Sequence, residues 1–137
     1  MASNIKFSSL ALNAFLNSLN STLGTSALLR FYDGTQPANG DTAITTQNVL
    51  AELTLSTPDE FAAAASRVID ASSIGADVSA NATGDATWAS FCKSDGTRVF
   101  DVSVGEAADT TDITVDNKAF QTGATISVSD FSLGLNL

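Results

Sequence analysis

The sequence predicts a mainly β protein: an antiparallel, jelly-roll-like β-sandwich of about seven strands with one N-terminal amphipathic helix. Three observations predict it. Residues 84–105 read as a β-hairpin, two runs of β-branched and aromatic residues joined by a polar turn that ends in Asp95-Gly96. From residue 27 onward, short apolar runs alternate with turn residues at close spacing. Only one stretch, near the N-terminus, repeats its apolar residues at helical spacing. The 137 residues fit one domain, residues 1–137, with a helical segment at 1–24 and the sandwich at 25–137. No internal repeat or linker divides it.

Taken in order, Ser9 is placed to cap a helix that runs to about Leu23 and stops at Gly24. Leu12, Phe15, Leu16, Leu19 and Leu23 form its apolar stripe, and Asn13, Asn17, Asn20 and Ser21 occupy the other side. Such a helix lies across a sheet or against copies of itself. A role on a membrane surface is disfavoured, because the polar side lacks Lys and Arg. Residues 27–32 make the first strand, Asp33-Gly34 turns the chain, and residues 35–46 with Pro37 and Asn39-Gly40 form an irregular loop. A strand follows at 49–55. Thr57-Pro58-Asp59-Glu60 spells a capping box before an alanine run too short for a stable helix, so one turn or a loop is expected there.

Residues 67–74 look extended and 75–84 form a polar connection. In the hairpin, the first arm is apolar on both faces: Ala86, Trp88 and Cys92 on one, Ala89 and Phe91 on the other. It should therefore sit in the middle of a layered structure. The second arm alternates Phe100, Val102 and Val104 with Asp101 and Ser103. Trp88, Phe91, Phe100, Val102 and Val104 are the expected core. An acidic loop at 105–110, a short strand at 112–115 and a turn at 116–118 precede a last strand at 123–137. Its phase slips near Ser129-Asp130, the signature of a bulge or of a change of sheet.

A net charge of −9 with six scattered basic residues argues against nucleic acid and against an anionic membrane surface, since both reward clustered Lys and Arg. The single Cys92 permits no internal disulfide and suggests a reducing compartment, the cytoplasm. With no histidine, the Ser-His-Asp and Cys-His dyads and most zinc sites are out of reach. No run approaches the roughly 18 apolar residues of a membrane span. Asp77, Ser79, Asn81, Thr83 and Asp85 alternate oxygen donors as a calcium loop does, but the sixth-position glycine and closing glutamate are missing. Asp109, Asp112 and Asp116 read as a solvated acidic edge. No catalytic residue, cofactor-binding residue or metal ligand is assigned, and no enzyme activity or cofactor is expected. The two apolar sets at the chain ends exceed what one small sandwich readily covers, so Leu12, Phe15, Leu16, Leu19 and Leu23, with Phe131, Leu133, Leu135 and Leu137, are the candidate interface.

The run Leu29-Arg30-Phe31-Tyr32-Asp33-Gly34-Thr35-Gln36-Pro37, continued by Asp41-Thr42-Ala43-Ile44 and Leu50-Ala51-Glu52-Leu53, resembles a family of small tailed-bacteriophage virion structural proteins. Ala86-Thr87-Trp88, Ser94-Asp95-Gly96-Thr97, Ser103-Val104-Gly105 and Gly123-Ala124-Thr125 extend the likeness in scattered blocks. The chain departs from the family's pattern at Ala89-Ser90 and in the alanine-rich residues 59–65. The resemblance implies a capsid decoration (cement) protein that binds the major capsid protein, expected to be a homo-oligomer with a trimer favoured, made in the host cytoplasm and located on the virion. A tail or head–tail connector component is the alternative, and a carbohydrate- or calcium-binding sandwich a more distant one.

Overall fold

The structure, a computed structural model, describes residues 4–56 and 60–136. Among these, one helix and nine strands form a mainly β body. Helix α1, Ser9–Leu23, is capped by Ser8 rather than Ser9: Ser8 is extended, and its hydroxyl accepts from the Ala11 N–H at 3.3 Å. Gly24, at φ +71°, ends it by donating its N–H to the Asn20 carbonyl. The capping box at 57–60 lies for the most part outside the described residues, as does Leu137.

The main sheet orders β2 (Val49–Thr54), β1 (Leu28–Tyr32), β5 (Trp88–Cys92), β6 (Arg98–Gly105) and β7 (Ile113–Thr114) as β2-β1-β5-β6-β7. All its pairings are antiparallel except β6 with β7, which run parallel, so the sheet is mixed. The sequence, read strand by strand as antiparallel, missed this: the chain after Gly105 loops back instead of making a tight hairpin. The β5–β6 hairpin itself is present, with Trp88 opposite Ser103 and Phe91 opposite Phe100.

Two small pairs stand outside this sheet. β3 (Val68–Asp70) pairs with β9 (Ser132–Gly134), and β4 (Gly84–Asp85) with β8 (Ala119–Phe120). The expected strands at 67–74 and 123–137 are thus far shorter than the apolar pattern implied. Their remaining residues touch neighbours through isolated bridges, such as Asp77 with Ile126, because the chain curls over the sheet instead of running straight along it. The phase slip at Ser129-Asp130 marks a change of partner: Ile126 bridges Asp77, whereas Ser132–Gly134 pairs with β3.

Register fixes two different faces on the main sheet. On one, Leu29, Phe31, Ala51, Leu53, Ala89, Phe91 and Val102 join Phe61, Ile69, Phe120, Ile126, Val128 and Phe131 in the apolar core, with Leu16 and Leu23 of the helix. Phe91 is its hub, 4.6 Å from Phe100, 4.7 Å from Phe131 and 5.7 Å from Phe61 between ring centroids. Phe91, Val102 and Val104 are buried and Phe100 half-buried. Trp88 is fully buried too, but it lies on the opposite face, outside this apolar cluster. Its period-two partners Ser90 and Cys92 share that face.

Candidate functional site

Across the second face, cross-strand register sets Glu52, Arg30, Ser90 and Asp101 in one row over four strands. Beside it, Tyr32 stacks on Trp88 with ring centroids 4.3 Å apart and planes 10° from parallel. Arg98 lies over the Trp88 ring, its guanidinium carbon 5.5 Å from the centroid. The same guanidinium pairs with both Asp101 oxygens and donates to the Thr42 carbonyl at 2.6 Å and the Asn39 carbonyl at 3.3 Å.

Residues 33–48 form the lid. Its ends close at Asp33, whose carboxylate accepts from the Asn48 N–H at 2.6 Å and the Asn48 side-chain amide at 2.9 Å. Those bonds hold the Asp33 carboxyl below its ordinary range. Gln47 braces the interior, donating to Thr35 and accepting from the Thr45 and Thr46 N–H groups. Trp88 Nε1 donates to the Asp33 carbonyl at 3.1 Å, so the indole's one polar atom is satisfied underneath the lid.

Arg30 donates to Glu52 at 2.6 Å; burial works against its charge, but Glu52 outweighs it and raises the guanidinium's pKa. Gly96 closes the β5–β6 turn at φ +86°, a conformation that favours glycine, and a Cβ there would stand 2.6 Å from Arg30 Nη1 and push the guanidinium aside. Burial pushes the Tyr32 hydroxyl up, with Cys92 adding to the rise and Arg30 and Arg98 opposing it. Burial likewise raises Cys92, leaving a thiol that is 0% exposed and protonated, the opposite of a nucleophile. Both cations of this face are consumed by internal partners. What the arrangement does chemically is hold a loop to a sheet.

Two of the alternating donors of 77–85, Asp77 and Thr83, serve the fold. Asp77 Oδ2 accepts from the Glu52 N–H and Oδ1 from the Ser79 N–H, each at 2.9 Å, while the Thr83 hydroxyl bonds to Thr122. The acidic residues after β6 do the same: Asp112 accepts from the Ser103 N–H and hydroxyl, and Asp109 from the Glu106 N–H. Asp116 is exposed and joins neither. Among the described residues no group of three or more His, Cys, Asp or Glu side chains converges as metal ligands would, and no helix is long and apolar enough to cross a membrane.

The interface set divides. Leu12, Leu16 and Leu23 are at most 3% exposed and pack inside the chain itself, as does Phe131. Leu19, Leu133 and Leu135 are half-buried against the core. Among the described members of that set only Phe15 projects outward, 54% exposed. Ile5, Phe7 and Leu10, which the periodicity argument passed over, are the other large apolar side chains exposed near the N-terminus.

Sequence reasoning also missed the helix asparagines. Asn13 Oδ1 accepts from the Arg67 N–H and Asn17 Oδ1 from the Ala64 N–H, both at 2.8 Å, and Asn20 donates to the Phe61 carbonyl at 3.4 Å. Their spacing of four and three residues was the available signal, since it puts all three on one helix side. A scan against protein-family models and searches of curated proteins and of solved structures found no match to this chain.

Proposed function

We propose that this chain is a structural protein of a tailed-bacteriophage virion, a capsid decoration or cement protein that binds the major capsid protein shell and stabilises it. It acts as a homo-oligomer, with a trimer favoured, and uses no cofactor, nucleic acid or membrane. Its place is the capsid surface, after synthesis in the bacterial cytoplasm. In the same reading the five-stranded sheet and the irregular layer of β3, β4, β8 and β9 are the two leaves of a jelly-roll-like sandwich.

One observation carries the proposal. The blocks that resemble the phage family interlock on a single face: Arg30, Tyr32 and Asp33 from the first, Thr42 and Glu52 from the second, Trp88 from the third. A motif consumed by internal bonds is a scaffold signature, and such a scaffold suits a protein whose work is to present a surface. A body folded before it docks adds interface across neighbouring capsomers without a large ordering cost. It stabilises the shell because it binds the assembled state preferentially.

The test is the protein composition of purified virions. A copy number close to that of the major capsid protein, with capsids that lose heat resistance when the gene is removed, is expected. A handful of copies per particle points to the tail or connector role, and absence from the particle overturns both.

A further inference from the structure

We propose that residues 4–8 of one copy add as a strand to the exposed edge of β6 in a second copy, with Lys6 opposite Asp101. The edge is open at one place. The Val104 N–H points inward to Thr87, and the Ser103 N–H points outward, where Asp112 takes it. By the two-residue period of a strand, the Asp101 N–H and C=O point outward as well, and no described residue takes them. The Asp101 side chain is only 5% exposed while the residue as a whole is half-buried, so what faces solvent is its backbone. Beyond Ser103 the edge is closed by β7, and at the other end residues 39–42 lie over Arg98. The opening accepts a short segment and nothing longer.

The N-terminal arm has the matching pattern. Asn4-Ile5-Lys6-Phe7-Ser8 alternates polar and apolar residues, and Ser8 is extended. Ile5 and Phe7 stand 63% and 52% exposed in the single chain. Directly opposed residues share a sheet face. Placing Lys6 opposite Asp101 therefore aligns Ile5 and Phe7 with Phe100 and Val102 on the apolar side. Charge favours the same docking: Lys6 is the only charged residue among residues 4–23, and the body it meets carries the chain's net negative charge. The pair is antiparallel and exchanges two backbone hydrogen bonds at Lys6 and Asp101, the strand-addition mode of recognition.

This inference rests on the proposed function only for self-association; it does not require the capsid. The experiment is light scattering over a concentration series, with hydrogen exchange at the Asp101 amide, on the full chain and on Lys6→Pro. The proline removes the donor to the Asp101 carbonyl, and the arm lies outside the packed body, so the variant folds. The full chain should weigh a multiple of 14.1 kDa and slow Asp101 exchange by about tenfold on association, while Lys6→Pro loses both. A full chain that is monomeric at every concentration overturns self-association as a whole. An oligomer that survives Lys6→Pro, or protection that does not change with concentration, overturns the arm alone.

Discussion

Trp88 ties two pieces of chain to its own strand: residues 32–33, where Tyr32 stacks on its ring and the Asp33 carbonyl meets its edge, and Arg98 over the ring. Replacing it with alanine removes a fully buried indole and leaves the lid loop without a floor. We expect Trp88→Ala to cost about 3–5 kcal/mol and to lower the melting temperature by roughly 10–20 °C, read by calorimetry. An unchanged melting temperature would refute the placement. Asp33 supplies the pH dependence. Its folded-state pKa lies below the ordinary value, so its ionised form is the one the fold favours. The stability it contributes is present above the ordinary carboxylate pKa and is lost as pH falls through the lowered one. Asp33→Asn should therefore be less stable than the parent at neutral pH, with the gap closing in denaturant titrations as the pH falls through the lowered pKa. A gap that is constant with pH would assign the loss to shape alone.

Helix α1 is held by more than its apolar stripe, because Asn13, Asn17 and Asn20 stand in for a neighbouring strand along residues 61–67. Magnitudes decide what a substitution would show. Losing one such hydrogen bond costs about 1 kcal/mol, while alanine is about 0.6 kcal/mol better than asparagine inside a helix. For Asn17→Ala the two nearly cancel in global stability, so the melting temperature should hardly move. The Ala64 amide should nevertheless exchange faster, which hydrogen-exchange spectroscopy resolves residue by residue. The helix itself was legible in the sequence because its period and its glycine stop are local signals. So was the hairpin, from its alternation and its Asp95-Gly96 turn. The asparagine contacts were not: they span more than forty residues, and a polar side chain is solvated or bonded depending on what the chain brings to it. The same reason hid Arg98. Nothing in its neighbourhood announces that residues 39–42 will fold over it. The long strands expected at 67–74 and 123–137 failed for the converse reason, since an apolar pattern specifies burial and leaves open whether a straight strand provides it.

On the scale of the whole molecule, a net charge of −9 opposes compaction, and of the three ion pairs among the described residues only Arg98–Asp101 is well shielded. Raising ionic strength from about 10 mM to 150 mM shortens the screening length from about 30 Å to 8 Å and weakens that repulsion. Dilute samples should therefore melt at a higher temperature in salt; a decrease would mean that the ion pairs outweigh the general repulsion. The covering of the second face by a loop also gives the chain an optical property. It has one tryptophan and one tyrosine, and the fold stacks them face to face. Excitation absorbed by the tyrosine passes to the indole at this distance, and the paired rings give a near-ultraviolet dichroism that neither ring gives alone. Opening residues 33–48 would wet the indole edge and quench that signature. Loosening the helix at the far side of the sheet would leave the emission dark to the change. Intrinsic fluorescence of this protein is thus a gauge of one latch, and a melting curve taken with it should be paired with a probe of the helix before the two are called one transition.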